Sequence, residues 1–210
     1  MTGGMSLQSP ARAGVGRARR LVVVGLAVVV AAIVATLGYQ LVSSSAISFS
    51  DVLGEHRGAA GEADGVVPDG VTVFDDAFPA VAKLDPDLLE ALRRAATDAA
   101  EDGVEFHVNS GWRSPRYQQQ LLRDAVSRYG SQEEAARWVA TADNSAHVSG
   151  DAIDIGPFDA TAWLSRHGAD HGLCQIYGNE SWHYELRPEA ADRGCPPMYA
   201  DPTDDPRMRR

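Results

Sequence analysis

Before Asp51 the 210-residue chain has no acidic residue, and its only charges are Arg12, Arg17, Arg19 and Arg20. Residues 21–42 then lack charge altogether, with Gln40 the only strongly polar side chain. Without a polar face to meet water, this run is excluded as an ordinary buried or amphipathic helix. A cationic surplus is equally lacking beyond it. All 29 acidic residues lie from Asp51 onward, against the 15 of 19 basic residues left there, a formal net charge of −14. Such a body excludes nucleic acid as partner, because phosphate binding needs a cationic surface. Cysteine is scarce too. Cys174 and Cys195 are the only two, and neither has a second cysteine close in sequence, which argues against a thiolate zinc cluster. There is no internal repeat, and no regular alternation of strand and helix of the kind that builds a doubly wound sheet.

What is present divides the chain. Residues 1–20 are rich in Gly, Ser, Ala and Arg and are predicted to be a cytoplasmic tail. Residues 21–42 have the length that a helix needs to cross a hydrocarbon core, about 20 residues. The arginines on their N-terminal side place the rest of the chain outside the cytoplasm, on a single-pass membrane anchor. The rival reading is a cleaved signal peptide with Ser44-Ser-Ala46 as its cleavage site. The apolar run exceeds the usual signal core of about 7–15 residues, so the anchor is preferred. Both readings export the body, where two cysteines are expected to pair as a Cys174–Cys195 disulfide. Residues 43–70 read as a linker, 71–200 as the folded domain and 201–210 as a loose C-terminal tail.

Within the domain, residues 85–100 carry an N-cap aspartate, Asp85, then Pro86, then apolar residues at helical spacing: Leu88, Leu89, Leu92, Ala95, Ala96 and Ala99. Val104, Phe106 and Val108 alternate with polar residues, as in a half-buried strand. Ser114-Pro115 opens a helix to about Tyr129, and residues 132–139 suggest a third. Short strands are expected at 152–155, 173–177 and 182–186, with a helix at 160–168 and a turn at Gly178-Asn179. The fold class is therefore α+β.

Three residues carry chemistry by their surroundings. Asp154 sits among Ala152, Ile153 and Ile155, where an unpaired carboxylate is costly to bury. His147 precedes it by seven positions, with Gly150 between them to permit a tight turn. His183 stands in an aromatic and apolar strand. Two imidazoles and a carboxylate make a common catalytic zinc set with a fourth position open. Glu180 and Glu185 both qualify as general base. An ideal strand puts Glu185 on the His183 face, while Glu180 lies in the turn before it, and periodicity alone leaves the choice open. Arg113 follows a strand and suits a carboxylate or a developing oxyanion, with a structural ion pair as the alternative.

Taken in order, Ser110-Gly-Trp-Arg113-Ser114 with Gln118, then Ser145-x-His147-x-x-Gly150-x-Ala152-x-Asp154, then Glu180-x-Trp182-His183 resemble the zinc D,D-peptidases of the VanY/VanX type. These share a lysostaphin/hedgehog-like fold, and the resemblance spans about residues 104–186. It implies a small antiparallel sheet flanked by helices and Zn2+ on His147, Asp154 and His183. It implies Glu180 as catalytic base, Arg113 at the scissile carbonyl, and Gln118 and Ser145 along the substrate site. Trp112 stands where Tyr or Phe is commoner, which bears on the pocket wall and not on the chemistry. With the export signal, the resemblance points to a membrane-anchored D-alanyl-D-alanine carboxypeptidase acting on peptidoglycan stem peptides. An L,D-carboxypeptidase or endopeptidase with the same zinc site, or a non-catalytic cell-wall binding module, are the alternatives.

Overall fold

A computed structural model of the chain describes residues 59–209. The tail over 1–20, the anchor over 21–42 and most of the linker over 43–70 lie outside the described residues. Among the described residues, no helix is long and apolar enough to cross a membrane.

The fold is α+β, with the helices set around one small antiparallel sheet, as the sequence leads one to expect. A short helix α1 (Pro79–Ala82) leads into the long α2 (Pro86–Glu101). The Asp85 carboxylate caps α2 by accepting from the backbone N–H groups of Asp87 and Leu88, and Pro86 takes the first turn where no donor is needed. Its buried stripe is Leu88, Ala91, Leu92, Ala95, Ala96 and Ala99. Leu89, expected in that stripe, is only half-buried, and Ala91 takes its place. Strand β1 (His107–Ser110) follows, then α3 (Pro115–Tyr129), α4 (Gln132–Ala136) and α5 (Ala146–Ser149). The expected helix over 132–139 ends at Ala136, and α5, one turn long, carries no periodic signal in the sequence. Strand β2 (Ala152–Gly156), helix α6 (Phe158–His167), strands β3 (Leu173–Gln175) and β4 (His183–Leu186), and the short α7 (Ala190–Arg193) complete the order.

The strands lie in the order β1-β2-β4-β3, each pair antiparallel. Because side chains alternate across a strand, the sheet has two chemically different faces. Val108, Ile153, Ile155, Tyr184 and Leu173 point into the main core, packed with the stripe of α2 and with Trp163 and Leu164 of α6. Each fully buried Leu or Ile contributes about 1.5–3 kcal/mol there. The other face carries Asp154, His183 and Glu185, all buried.

The expected disulfide Cys174–Cys195 is present, tying β3 to the segment after α7. The loop it closes contains Glu180 and His183, and closing it contributes about 3 kcal/mol by the chain-entropy account.

Both ends of the expected domain need correction. The compact unit begins at Ala60, not at residue 71. Asp64, in a 3-10 turn over Glu62–Asp64, accepts from Ser114 Oγ at 2.8 Å and pairs with Arg116, so a helix start that needed a partner recruits the end of the supposed linker. Residues 201–209 are no loose end either. Asp201, Pro202 and Asp205 are buried, and 3-10 turns run over Pro202–Asp204 and Pro206–Arg209. Prolines and mixed charge read as a tail because the partners of those charges lie far away in sequence.

Candidate metal centre

Register assembles the site. Across β2 and β4, Asp154 lies directly opposite His183, and on the other side of β2 it faces Ser110 of β1. Directly opposed residues bring their Cβ atoms within about 4.5–5.5 Å, so these three side chains form one row. His147 reaches the row from α5. The turn between α5 and β2 holds it there. Gly150 has φ +88°, and an added Cβ would lie 2.6 Å from the Lys83 carbonyl oxygen, so only glycine fits. Its own carbonyl accepts from the Asp85 N–H at 2.9 Å, pinning the turn to the start of α2.

Each imidazole is oriented by its second nitrogen. His147 Nδ1 lies 2.8 Å from the Gly111 carbonyl oxygen, which only accepts. The proton is therefore assigned to Nδ1, and Nε2 presents a lone pair. His183 Nε2 lies 3.4 Å from Glu185 Oε1, so Nε2–H faces that carboxylate and Nδ1 presents its lone pair. These lone pairs meet. His147 Nε2 and His183 Nδ1 are 3.2 Å apart, His183 Nδ1 and Asp154 Oδ1 3.2 Å, and His147 Nε2 and Asp154 Oδ1 3.4 Å. A tetrahedral zinc with bonds of about 2.0–2.1 Å has ligand-to-ligand edges of about 3.3–3.4 Å. The three distances are one triangular face of such a tetrahedron, and the donor set suits zinc.

The electrostatics show the same demand for positive charge. Burial lowers the His183 pKa, but the Asp154 and Glu185 carboxylates outweigh it and hold it at about 9. Burial would raise the Asp154 carboxyl, yet the His147 and His183 imidazoles and Arg113 keep it well below the usual carboxylate range. Burial, joined by the Arg113 charge, lowers His147. One proton on His183 answers one edge of the triangle. A dication answers all three.

Glu180 and Glu185 separate clearly. Glu185 is 1% exposed and bonded to His183, Arg187 and Arg207. Burial would raise its pKa, but His183 and Arg207 push it far below the usual range. It stays ionised behind the imidazole and is spent on orientation. Among the described residues, Glu180 makes no arginine bond of that kind. Its Oε2 lies 3.8 Å from His183 Nδ1, and burial raises its pKa to about 7. A carboxylate near neutrality beside the ligand triangle is matched to proton transfer.

Arg113 holds the second oxygen of Asp154, with Nη2–Oδ2 2.7 Å, while its Nε donates to Ser110 Oγ at 2.7 Å and Nη1 to Gln118 Oε1 at 3.2 Å. The structural ion pair is therefore real, and Arg113, with N–H groups beyond these three bonds, lines the cleft. Gln118, expected along the substrate site, borders the cleft but is 1% exposed, and its amide is engaged by Arg113 and the Ala140 carbonyl. What it gives is support to Arg113. Ser145 precedes α5 and lines the cleft. Trp112 is not among the lining residues. Its ring lies under Lys83 Nζ at 3.7 Å.

The cleft holds about 600 Å³ and runs past the ligand triangle, Glu180 and Arg113 to an aromatic rim. There Tyr129 and Trp138 stack with ring centroids 5.9 Å apart, and Trp182 is 39% exposed. Sequence reasoning missed Tyr177, whose ring lies 5.1 Å from that of His183, and missed Arg207. Neither stands in a motif, and no periodic signal could have placed them.

The model of the family described as VanY, D-alanyl-D-alanine carboxypeptidase, matches residues 81–189. Among solved structures, the chain is similar to a mutant of the vancomycin-resistance D,D-pentapeptidase VanY from a VanB-type resistance cassette, in complex with Zn(II). Identity is 26%, over 49% of this chain and 72% of that one, with a TM-score of 0.47. It is similar to VanYB in complex with D-alanine-D-alanine, at 26% identity over 52% of this chain and 75% of that one, TM-score 0.49. A third, the LdcB LD-carboxypeptidase, is 22% identical over 63% of this chain and 73% of that one, TM-score 0.49. No curated protein matches the chain.

Proposed function

Because this chain belongs to the VanY family of D-alanyl-D-alanine carboxypeptidases, we propose that it is a zinc enzyme removing the terminal D-Ala from peptidoglycan stem peptides. The observation that carries this reading is the ligand triangle of His147, Asp154 and His183 at tetrahedral spacing, with Glu180 beside it. Residues 21–42 would hold the enzyme to the membrane with the catalytic domain on the outer side, where peptidoglycan lies.

When bound, zinc would acidify a water molecule and polarise the scissile carbonyl. Glu180 takes a proton from the attacking water, for which a pKa of about 7 suits it, and returns it to the leaving amine. Arg113 offers its unengaged N–H groups to the oxygen that gains charge as the carbonyl is attacked. Gln118 and Ser110 keep the guanidinium in place while it does so. Ser145 lines the cleft, where its hydroxyl would meet the peptide.

The test is release of D-Ala from a D-Ala-D-Ala-terminated pentapeptide by the purified full chain, followed by mass spectrometry. It is run as prepared, with chelator, and with zinc restored. Chelator-sensitive, zinc-restored loss of one D-Ala is the expected result. Cleavage of only a tetrapeptide or a cross-linked dimer would move the assignment to an L,D-carboxypeptidase or an endopeptidase. Peptidoglycan binding without any product would make the domain a binding module.

A further inference from the structure

Glu185 is a fully buried carboxylate, and such a group is tolerated only when its charge is answered. Arg207, near the end of the chain, answers most of it. Its guanidinium makes two bonds to Glu185, Nη1–Oε2 2.6 Å and Nη2–Oε1 3.0 Å, while Arg187 makes one to Oε2 at 2.7 Å. The same guanidinium is held from behind by Asp205, with Nε–Oδ2 2.9 Å and Nη2–Oδ2 2.6 Å. Asp205 is itself fully buried and accepts from Tyr177 Oη at 3.0 Å. The Tyr177 ring returns to His183. His183, Glu185, Arg207, Asp205 and Tyr177 thus form a closed circuit around one imidazole.

The segment that carries Arg207 is anchored at other points as well. Asp201 accepts from Arg137 Nε at 2.9 Å, and Asn144 Nδ2 donates to the Met208 carbonyl at 3.1 Å. Asn144 stands one residue before Ser145 and the helix that bears His147. The segment therefore touches both the carboxylate behind His183 and the loop that leads into the His147 helix.

We propose that residues 201–209 form a positioning strap for the metal centre, with Arg207 holding Glu185 so that Glu185 fixes the His183 ring for metal. Arg207 is a positioning residue that touches neither metal nor substrate. The inference rests on the zinc reading above. Orientation by a second layer of hydrogen bonds changes metal affinity by about 10–100-fold in known sites. Charge acts in the opposite direction, since losing a cation nearby favours a bound dication. The conservative Arg207→Lys variant separates the two, because it keeps the charge and loses the two-pronged bond.

The experiment measures zinc affinity of the full-length chain by competition with a chromogenic chelator, together with the visible spectrum of the cobalt-substituted protein. Arg207→Ala and Arg207→Lys are each expected to bind zinc about 10–100-fold more weakly than the parent. Both are expected to shift the cobalt bands, which report ligand geometry. Arg93→Ala removes an ion pair to Asp76 that does not line the cleft, and should lower thermal stability while leaving both readouts unchanged. If Arg207→Ala does not fold, Arg207→Lys decides. Parent-like affinity and spectrum in Arg207→Lys would overturn the strap. A parent chain that binds no zinc would instead overturn the zinc reading on which it rests.

Discussion

The two faces of the sheet are built from the same strands, one residue apart, and are held together by opposite means. On one face Ile153, Ile155 and Tyr184 meet the stripe of α2, and what matters is area removed from water. On the other, Asp154, His183 and Glu185 meet charged partners at fixed angles, and what matters is whether each partner is present. Burial is non-directional, so the first face accepts any packing of similar volume. The second has almost no such freedom. Its groups are costly to bury alone and gain from burial only as a completed set. The core can therefore support the site without determining its chemistry.

The contrast can be broken most sharply at Glu180, on the polar side. Glu180→Gln preserves shape and removes the proposed base, so kcat should fall about 10²–10⁴-fold while zinc content and melting temperature stay near those of the parent. A variant with parent activity would remove Glu180 from the mechanism. The apolar side should answer in the reverse pattern. Ile155→Ala is expected to lower unfolding free energy by about 2–5 kcal/mol, yet each folded molecule should bind zinc as before. Denaturant unfolding and a zinc titration below the transition would check this. Lost zinc affinity in the folded variant would show that the faces are coupled.

The disulfide belongs to the polar side, because Cys174 stands opposite Glu185 and the loop it closes carries Glu180 and His183. Replacing Cys174 and Cys195 by Ala should cost about 2–4 kcal/mol, seen as a lower melting temperature, with turnover per folded molecule largely kept. The smallest expected effect is on pH dependence. Glu180 must be ionised to accept a proton, and its pKa stands raised to about 7 by burial, so activity should rise with pH, about tenfold per unit, on the acid side. The dication adjacent to Glu180 favours its ionised form, so the limb of a kcat/KM profile should lie at or below about 7. A limb clearly above 7 would assign the proton transfer to another group.

Much of this was legible in the chain. The capped helix α2, the half-buried β1 and the paired strands β3 and β4 follow from local signals of capping, alternation and turn residues, and each occurs close to where those signals stand. Asp154 and His183 could be picked out because polar groups stood in apolar company, His147 by its spacing to Asp154 across Gly150, and Glu180 by the family resemblance. Other features were invisible for a physical reason. Periodicity left Glu180 and Glu185 equal and only the resemblance favoured Glu180; burial and partners exist only in the fold, where they set the two apart. The bonds of Gln118 to Arg113 and Ala140 were equally out of reach, because nothing local says which partners its amide meets. The C-terminal segment looked loose because the carboxylates that hold it, Glu185 above all, are paired to it only in space.

By itself, the sequence determined the fold class, the candidate set of metal-binding side chains and the family, because these rest on periodicity, residue type and spacing along the chain. Only the tertiary structure decided which nitrogen of each imidazole faces the ligand triangle, how burial and partners set Glu180 apart from Glu185, and which distant arginine pairs with Glu185. Those outcomes depend on distance, register and desolvation, and such quantities exist only once separated segments have met.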